Sequence, residues 1–245
     1  RFLKRGGFPE PFLAESDEEA DLWRKQYFDG LMRSDILDFE TIHDLRAIQV
    51  TLELLRRKVG SPVSVASIAE DAQVSPLTVK KYIEILEGLY IIFRVTPFSR
   101  NIARSLLKEP KIYFFDTGLV IGDEWIKFEN FVAVSLLKHT LVSSDYSGKN
   151  VELKYMRTKE GKEVDFALVN DSGADEIIET KSTDGELSPT LKYFSEKYNL
   201  KGSQVVKELK REKPWEILIS FRLKIICAAC FYRGQIVPKI IRFWC

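Results

Sequence analysis

The stretch Gly161–Lys181, GKEVDFALVNDSGADEIIETK, holds two strand-like runs joined by a turn, and each carries charge where a buried strand would hold apolar groups. Side chains alternate across a strand, so residues two apart share a face. On that rule Glu179 and Lys181 point the same way as Ile177. Asp165 shares a face with Ala167 and Val169, while Val164, Phe166 and Leu168 face the other side. Asp171-Ser172-Gly173 reads as a three-residue hairpin loop with Gly173 in the left-handed position. Asn170 then stands opposite Ala174, Asp165 opposite Glu179 and Glu163 opposite Lys181, in a register that a bulge would slip by one. Two ionised carboxylates about 4 Å apart, at an effective dielectric near 20, repel by roughly 4 kcal/mol. A shared proton, the Lys181 ammonium or a divalent cation has to offset that repulsion. Magnesium or manganese suits the third case, because such ions take oxygen ligands and keep waters for chemistry. Asp165 and Glu179 are then metal ligands, and Lys181 orients or helps to deprotonate a metal-bound water.

Glu129 adds to the pattern. On the helical run WIKFENFVAVSLL its neighbours three and four away are Trp125, Ile126, Val132 and Ala133, with Leu136 one turn further. A glutamate in the middle of an apolar stripe is costly unless it is paired. Either it aims at the strand carboxylates as a fourth polar group, or it reaches a buried backbone donor or an arginine.

The remainder of the chain frames these strands. Residues 1–40 read as loop and linker helices, with Trp23, Tyr27, Phe28, Leu31 and Ile36 as packing residues. Leu45, Ile48, Leu52, Leu55 and Val59 repeat at helical spacing, and Gly60 and Pro62 end that helix. In SVASIAEDAQVSPLTVKKYIEILEGLYIIFRV, Ile68 and Ala69 form the inner face of a short helix, Gln73-Val74 makes the turn, and Ser75 with Pro76 opens a second helix. Val79, Tyr82, Ile83 and Leu86 are its apolar stripe. Two short helices, a tight turn and a following strand pair over 41–100 describe a winged helix-turn-helix. Thr78, Lys80 and Lys81 fall on the exposed side of its second helix, where DNA-reading residues belong, with Arg94 and Arg100 beside them. From Pro76 to Lys111 there are seven basic residues (Lys80, Lys81, Arg94, Arg100, Arg104, Lys108, Lys111) against three acidic (Glu84, Glu87, Glu109), an excess that favours phosphate contact. The other reading makes these lysines a solvated face on a module that docks against a neighbouring domain.

Over 101–210 the pattern becomes a helix, three strands, a helix capped by Ser188-Pro189, and a strand: a compact α/β unit. The tail, 211–245, has no acid after Glu216 and carries all three cysteines; no function is assigned to it. Cys227 and Cys230 form one CxxC with no second pair to complete a zinc site, and they read as free thiols.

With 245 residues, 45% hydrophobic and 30% charged, the chain can bury one large core or two small ones. A net charge of +1 argues for nucleic acid only through local patches. There is no run of about 18 apolar residues and no basic-apolar leader, so a cytoplasmic chain without membrane partner is expected. The start at Arg1, inside a Gly-Gly-Phe-Pro turn, reads as a fragment whose upstream part is missing.

Together, Asp165, Glu179-Thr180-Lys181 and the helix bearing Glu129 resemble the PD-(D/E)xK nuclease fold, whose α-β-β-β-α-β order also fits. More narrowly, GGFPEPF, VSPLTVKKYIEILEGLYIIFRV, KIYFFDTGL, FEN, GKEVDFAL and IIETK resemble the C-terminal part of a prokaryotic family of AAA-type ATPases, in which a winged helix and a nuclease-like domain follow the ATPase core. The resemblance implies Asp165 and Glu179 as metal ligands, Lys181 as catalytic base or stabiliser, and Glu129 as accessory. It implies ATP binding for a full-length parent only, since no GxxxxGK[ST] occurs here. Three functions fit: a metal-dependent nuclease guided to DNA by the winged helix, a DNA-binding module on a silent nuclease fold, and a regulatory or assembly element for the missing ATPase core.

Overall fold

The computed structural model describes residues 1–33, 44–98, 109–148, 150–158, 160–183 and 186–208. Arg100, Ile36, the three cysteines and the whole 211–245 tail lie outside them. Among the described residues the chain is a mixed α/β protein with eight α-helices and one six-stranded mixed sheet.

The helices come first. Residues α1 (Phe2–Arg5), α2 (Pro9–Leu13) and α3 (Asp17–Arg33) lead to α4 (Leu45–Arg57), α5 (Val65–Ala72) and α6 (Pro76–Gly88). Each of the last three starts where a side-chain oxygen meets an otherwise unpaired amide: Asp44 accepts from Ala47, Ser64 from Ser67 and Ser75 from Thr78. Gln73, at φ 56°, closes α5 in the left-handed conformation and makes the turn into α6. The expected stripe of α6, Val79, Tyr82, Ile83 and Leu86, is buried, as are Ile48, Leu52 and Leu55 of α4.

Next come β1 (Ile92–Pro97), β2 (Lys111–Phe114), a short 3-10 turn at Thr117–Leu119, and the long α7 (Glu124–Ser147), then β3 (Glu152–Arg157), β4 (Glu163–Asn170), β5 (Gly173–Thr183), α8 (Pro189–Tyr198) and β6 (Lys201–Glu208). From α7 onward the order is the α-β-β-β-α-β expected from the pattern. The sheet runs β2-β1-β3-β4-β5-β6; β1–β2, β3–β4 and β4–β5 are antiparallel, while β1–β3 and β5–β6 are parallel. The β1–β3 pairing, Thr96 with Lys154 and Pro97 with Tyr155, carries the sheet across the 100/101 boundary.

Alternate β4 residues feed two cores. Phe166 and Leu168 join the large cluster that includes Phe128, Val132 and Leu136 of α7, whereas Ala167 and Val169 pack with Leu191 and Phe194 of α8. The sheet is thus sandwiched, with α7 on one side and α8 on the other.

Two polar clamps fix the parts around β2. Asn130 of α7 is fully buried; its Oδ1 accepts from the Phe114 amide at 2.8 Å, and its Nδ2 donates to the Phe114 carbonyl at 2.9 Å and to Thr117 Oγ1 at 3.2 Å. One side-chain amide thereby satisfies both backbone groups of a strand residue, as a neighbouring strand would. At the other end of the turn, Asp116 Oδ1 accepts from the amides of Gly7 (2.8 Å) and Gly118 (3.2 Å). Gly6 sits at φ +76°, and a Cβ there would lie 1.6 Å from that same oxygen, so only glycine allows GGFPEPF to close on KIYFFDTGL.

Asn130→Leu removes the first clamp and leaves two buried backbone groups unpaired, each costing about 1–3 kcal/mol. A fall of about 2–5 kcal/mol in urea-unfolding free energy is expected; a loss under about 1 kcal/mol shows that the clamp does not hold β2 against α7.

Candidate functional site

The β4–β5 hairpin departs from the predicted register at its tip and recovers it further in. The loop has two residues, Asp171 and Ser172, and Asn170 stands opposite Gly173 rather than Ala174. A bulge between Val169 and Leu168 then restores Leu168↔Glu176, Ala167↔Ile177 and Phe166↔Ile178. There the ladder ends. The next amide, that of Thr180, donates to the Asp165 carboxylate (Oδ2, 2.8 Å), and the Thr180 hydroxyl donates to the same oxygen at 2.6 Å.

A second irregularity re-aims Asp165. Between β3 and β4 the pairs Lys154↔Ala167 and Met156↔Val164 leave Asp165 and Phe166 together facing Tyr155. This extra residue breaks the alternation. Val164 therefore packs with Met156 and Ala167 in the α8-side core, and Asp165 turns with Phe166 toward α7. The expected grouping of Asp165 with Ala167 and Val169, and of Val164 with Phe166, is corrected accordingly. Alternation holds in β5, so Glu179 follows Ile177 to the α8 side, where the Ser188 hydroxyl donates to its Oε1 at 3.2 Å.

The sequence-predicted acids thus meet in two adjoining groups. On the α7 side, Lys111 Nζ lies 2.7 Å from Glu163 Oε1 and 3.8 Å from both Glu129 Oε1 and Asp165 Oδ1. Its side chain is 1% exposed. The Tyr113 hydroxyl donates to Glu129 Oε1 at 2.7 Å. Glu129 does face the strand carboxylates, with a lysine among them. Gly60 fits against it at φ +77°; a Cβ there would stand 2.7 Å from Glu129 Oε1. On the α8 side, Lys181 Nζ is 3.3 Å from Glu179 Oε1, and its side chain is 42% exposed. Glu179 Oε2 is buried without a hydrogen-bond partner. The predicted Glu163–Lys181 opposition is not what forms: Glu163 pairs with Lys111 and, at 3.6 Å, with Arg157.

Electrostatics follow from burial and from Asp165. Burial, with Asp165 nearby, lifts Glu129 from the usual 4.5 to about 7, against the pull of Lys111 and Tyr113. Burial and Asp165 lift Glu179 to about 7 as well, against Lys181 and Ser188. For Lys111 burial disfavours the ammonium, but Glu129, Asp165 and Glu163 outweigh it and hold the pKa above the usual value.

Lys111 is the residue that sequence reasoning misplaced. It entered the basic excess as a phosphate-binding candidate, yet it is enclosed by carboxylates. The available signal was its place at the head of the apolar run IYFF; the strand it opens, KIYF, is buried at every position. Of the predicted DNA-facing residues, Lys80 and Lys81 are exposed on α6, and Thr78 is half-buried with its hydroxyl 2.8 Å from that of Ser75. Arg94 is exposed but ion-paired with Glu87 at 2.5 Å; Arg100 lies outside the described residues. Among those residues no three acids, histidines or cysteines group closely enough to hold a metal by themselves.

The fold and site define a mixed α/β protein with a buried carboxylate–lysine cluster at the hairpin base. Residues 1–122 match one domain of unknown function, DUF8612, and residues 127–223 match another, DUF4143. Curated relatives are themselves uncharacterized. One from Mycobacterium tuberculosis is 28% identical over 120 residues, 49% of this chain and 27% of the relative. One from Methanocaldococcus jannaschii is 25% identical over 181 residues, covering 70% and 39%. One from Haemophilus influenzae is 24% identical over 189 residues, covering 72% and 44%. The chain therefore spans less than half the length of each of these relatives. No solved structure matches.

A carboxyl group whose pKa is higher in the folded chain binds more protons there than in the unfolded chain between the two values, so stability falls as pH rises through that interval. For Glu129 and Glu179 the interval runs from about 4.5 to about 7. Melting temperature is expected to drop from pH 5 to pH 7 in the wild type, with a shallower slope in Glu129→Gln. Equal slopes in both proteins would show that Glu129 ionises in the folded chain as it does in water.

Proposed function

We propose that this chain is the C-terminal part of an AAA-type ATPase-associated protein, in which α4–α6 with β1 and β2 form a winged helix and α7-β3-β4-β5-α8-β6 form a PD-(D/E)xK-like nuclease domain. The single observation that carries the reading is Glu179 Oε2: a buried carboxylate oxygen without a partner, next to Asp165 in charge and to Lys181 in contact. An unpaired buried acceptor is costly, and a hard cation relieves it. The donor set, carboxylates and neighbouring hydroxyls, fits magnesium or manganese. Asp165 and Glu179 would hold the ion, with water completing its shell. The ion would supply a Lewis acid and an activated water for phosphodiester hydrolysis.

The chain's own residues do the rest. Thr180, through amide and hydroxyl, fixes Asp165. Ser188 fixes Glu179. Lys181, half exposed beside Glu179, is placed to bind a phosphate oxygen or move a proton. Glu129, held by Tyr113 and raised to about 7 chiefly by burial, gains a proton near neutral pH and so makes the cluster less negative. Lys80, Lys81 and Thr78 on α6 are the proposed phosphate contacts to DNA, and ATP belongs to the parent's upstream core. The proposed setting is the cytoplasm.

Lys111 favours a second reading. Because an ammonium already sits among Glu129, Glu163 and Asp165, this reading makes the domain a silent platform that binds DNA or regulates the ATPase core without cleaving.

The test is calorimetric titration of magnesium and manganese into wild type and Glu179→Gln, followed by incubation with single- and double-stranded DNA. Saturable metal binding and DNA cleavage, both lost in the variant, are expected. Salt-sensitive DNA binding without metal uptake or cleavage would leave the platform reading. In either case Lys80→Ala/Lys81→Ala should reduce the salt slope by about 2, one per lost phosphate contact; an unchanged slope removes α6 from the interface.

A further inference from the structure

Lys111 is contributed by β2, Glu129 by α7, and Glu163 and Asp165 by β4. Three carboxylates from two elements thus converge on one ammonium delivered by a third. The distances are 2.7 Å to Glu163 and 3.8 Å to each of the other two. On its remaining side the ammonium faces the Tyr155 ring, 5.4 Å from the centroid. Such a grouping of hard oxygen donors around a point charge resembles the surroundings of a bound divalent cation, although with the lysine in place the three acids are not spaced to hold a metal themselves. The lysine side chain is 1% exposed, so the ammonium itself is shut away from solvent. The contrast with Glu179 is direct: one of its oxygens meets Ser188 and Lys181, and the other meets nothing.

We propose that Lys111 is a tethered cation that permanently fills the Glu129–Glu163–Asp165 cage, so that this chain takes up an exchangeable divalent ion only on the Glu179 side and operates with one metal rather than two. The first half stands on the geometry of the cage; the second rests on the nuclease reading above. Lys111 is accordingly a positioning residue. It holds Asp165 through Oδ1 while Thr180 holds it through Oδ2, leaving Asp165 to share with Glu179 the one ion assigned above, and it keeps a second ion from Glu129 and Glu163.

The experiment counts manganese bound per chain, by electron paramagnetic resonance of the free ion, in wild type, Glu179→Gln, Lys111→Met and Lys111→Met/Glu163→Gln. Thermal unfolding with and without manganese runs in parallel. Lys111→Met is expected to bind one more equivalent of manganese than wild type, and its melting temperature to rise with manganese by more than that of wild type. Should Lys111→Met not fold, the charge-balanced double variant carries the same test, with the extra ion between Glu129 and Asp165. If whichever of these folds binds no more manganese than wild type and gains no extra thermal stability from it, the tethered-cation proposal is overturned. Wild-type manganese binding that survives Glu179→Gln sinks the one-metal assignment and the nuclease reading with it, while leaving the cage result independent.

Discussion

An ammonium group in a nearly dry enclosure organises much of this molecule. Without the Lys111 charge, three carboxylates from α7 and β4 would have to share a small buried volume, and either protonate or push apart. With it, α7 can press its Val132 and Leu136 against the sheet while keeping Glu129 in the same stripe. The lysine is itself held by β2, the outer strand of the sheet, which Asn130 fastens to α7 through both backbone groups of Phe114. Removing one member of such a buried charge group typically costs about 3–5 kcal/mol, because the others are left without compensation. The apolar core and the polar cluster are therefore parts of one packing solution.

Much of the fold was legible in residue patterns, because caps and stripes are local. Asp44, Ser64, Ser75 and Ser188 each begin a helix, and Val79, Tyr82, Ile83 and Leu86 are buried together. The acids of the site were legible as well, since Asp165, Glu179 and Glu129 are all out of place by hydropathy. What escaped was non-local. The bulge that turns Asp165 away from Ala167 depends on how β4 meets β3, and no feature of EVDFALV marks it. The enclosure of Lys111 depends on three elements meeting; in sequence it is one more basic residue in a basic stretch. The two-residue turn was missed because a second irregularity, at Val169, cancels its effect on the register of Phe166 and Ile178.

The two matched domains of unknown function divide the chain near residue 125, yet the described structure shares one sheet and one main core across that point. The β1–β3 pairing and the joint core of α4, α6 and α7 tie the helical half to the α/β half. On the functional reading proposed above, Lys80 and Lys81 on α6 and Glu179 on β5 are thus attached to a common frame.

The neighbouring positions of Glu129 and Asn130 have a further consequence. Asn130 grips Phe114, and Glu129 meets Tyr113, so two consecutive helix residues read two consecutive strand residues. A helix docked one residue out of step would offer Glu129 or Phe131 to backbone groups that need an amide, and would move Glu129 off the Lys111 charge. The register of α7 on β2 and the place of Glu129 in the charged cluster are therefore set together. Correct seating of α7 on β2 delivers Glu129 to Tyr113 and to the Lys111 charge in the same contact.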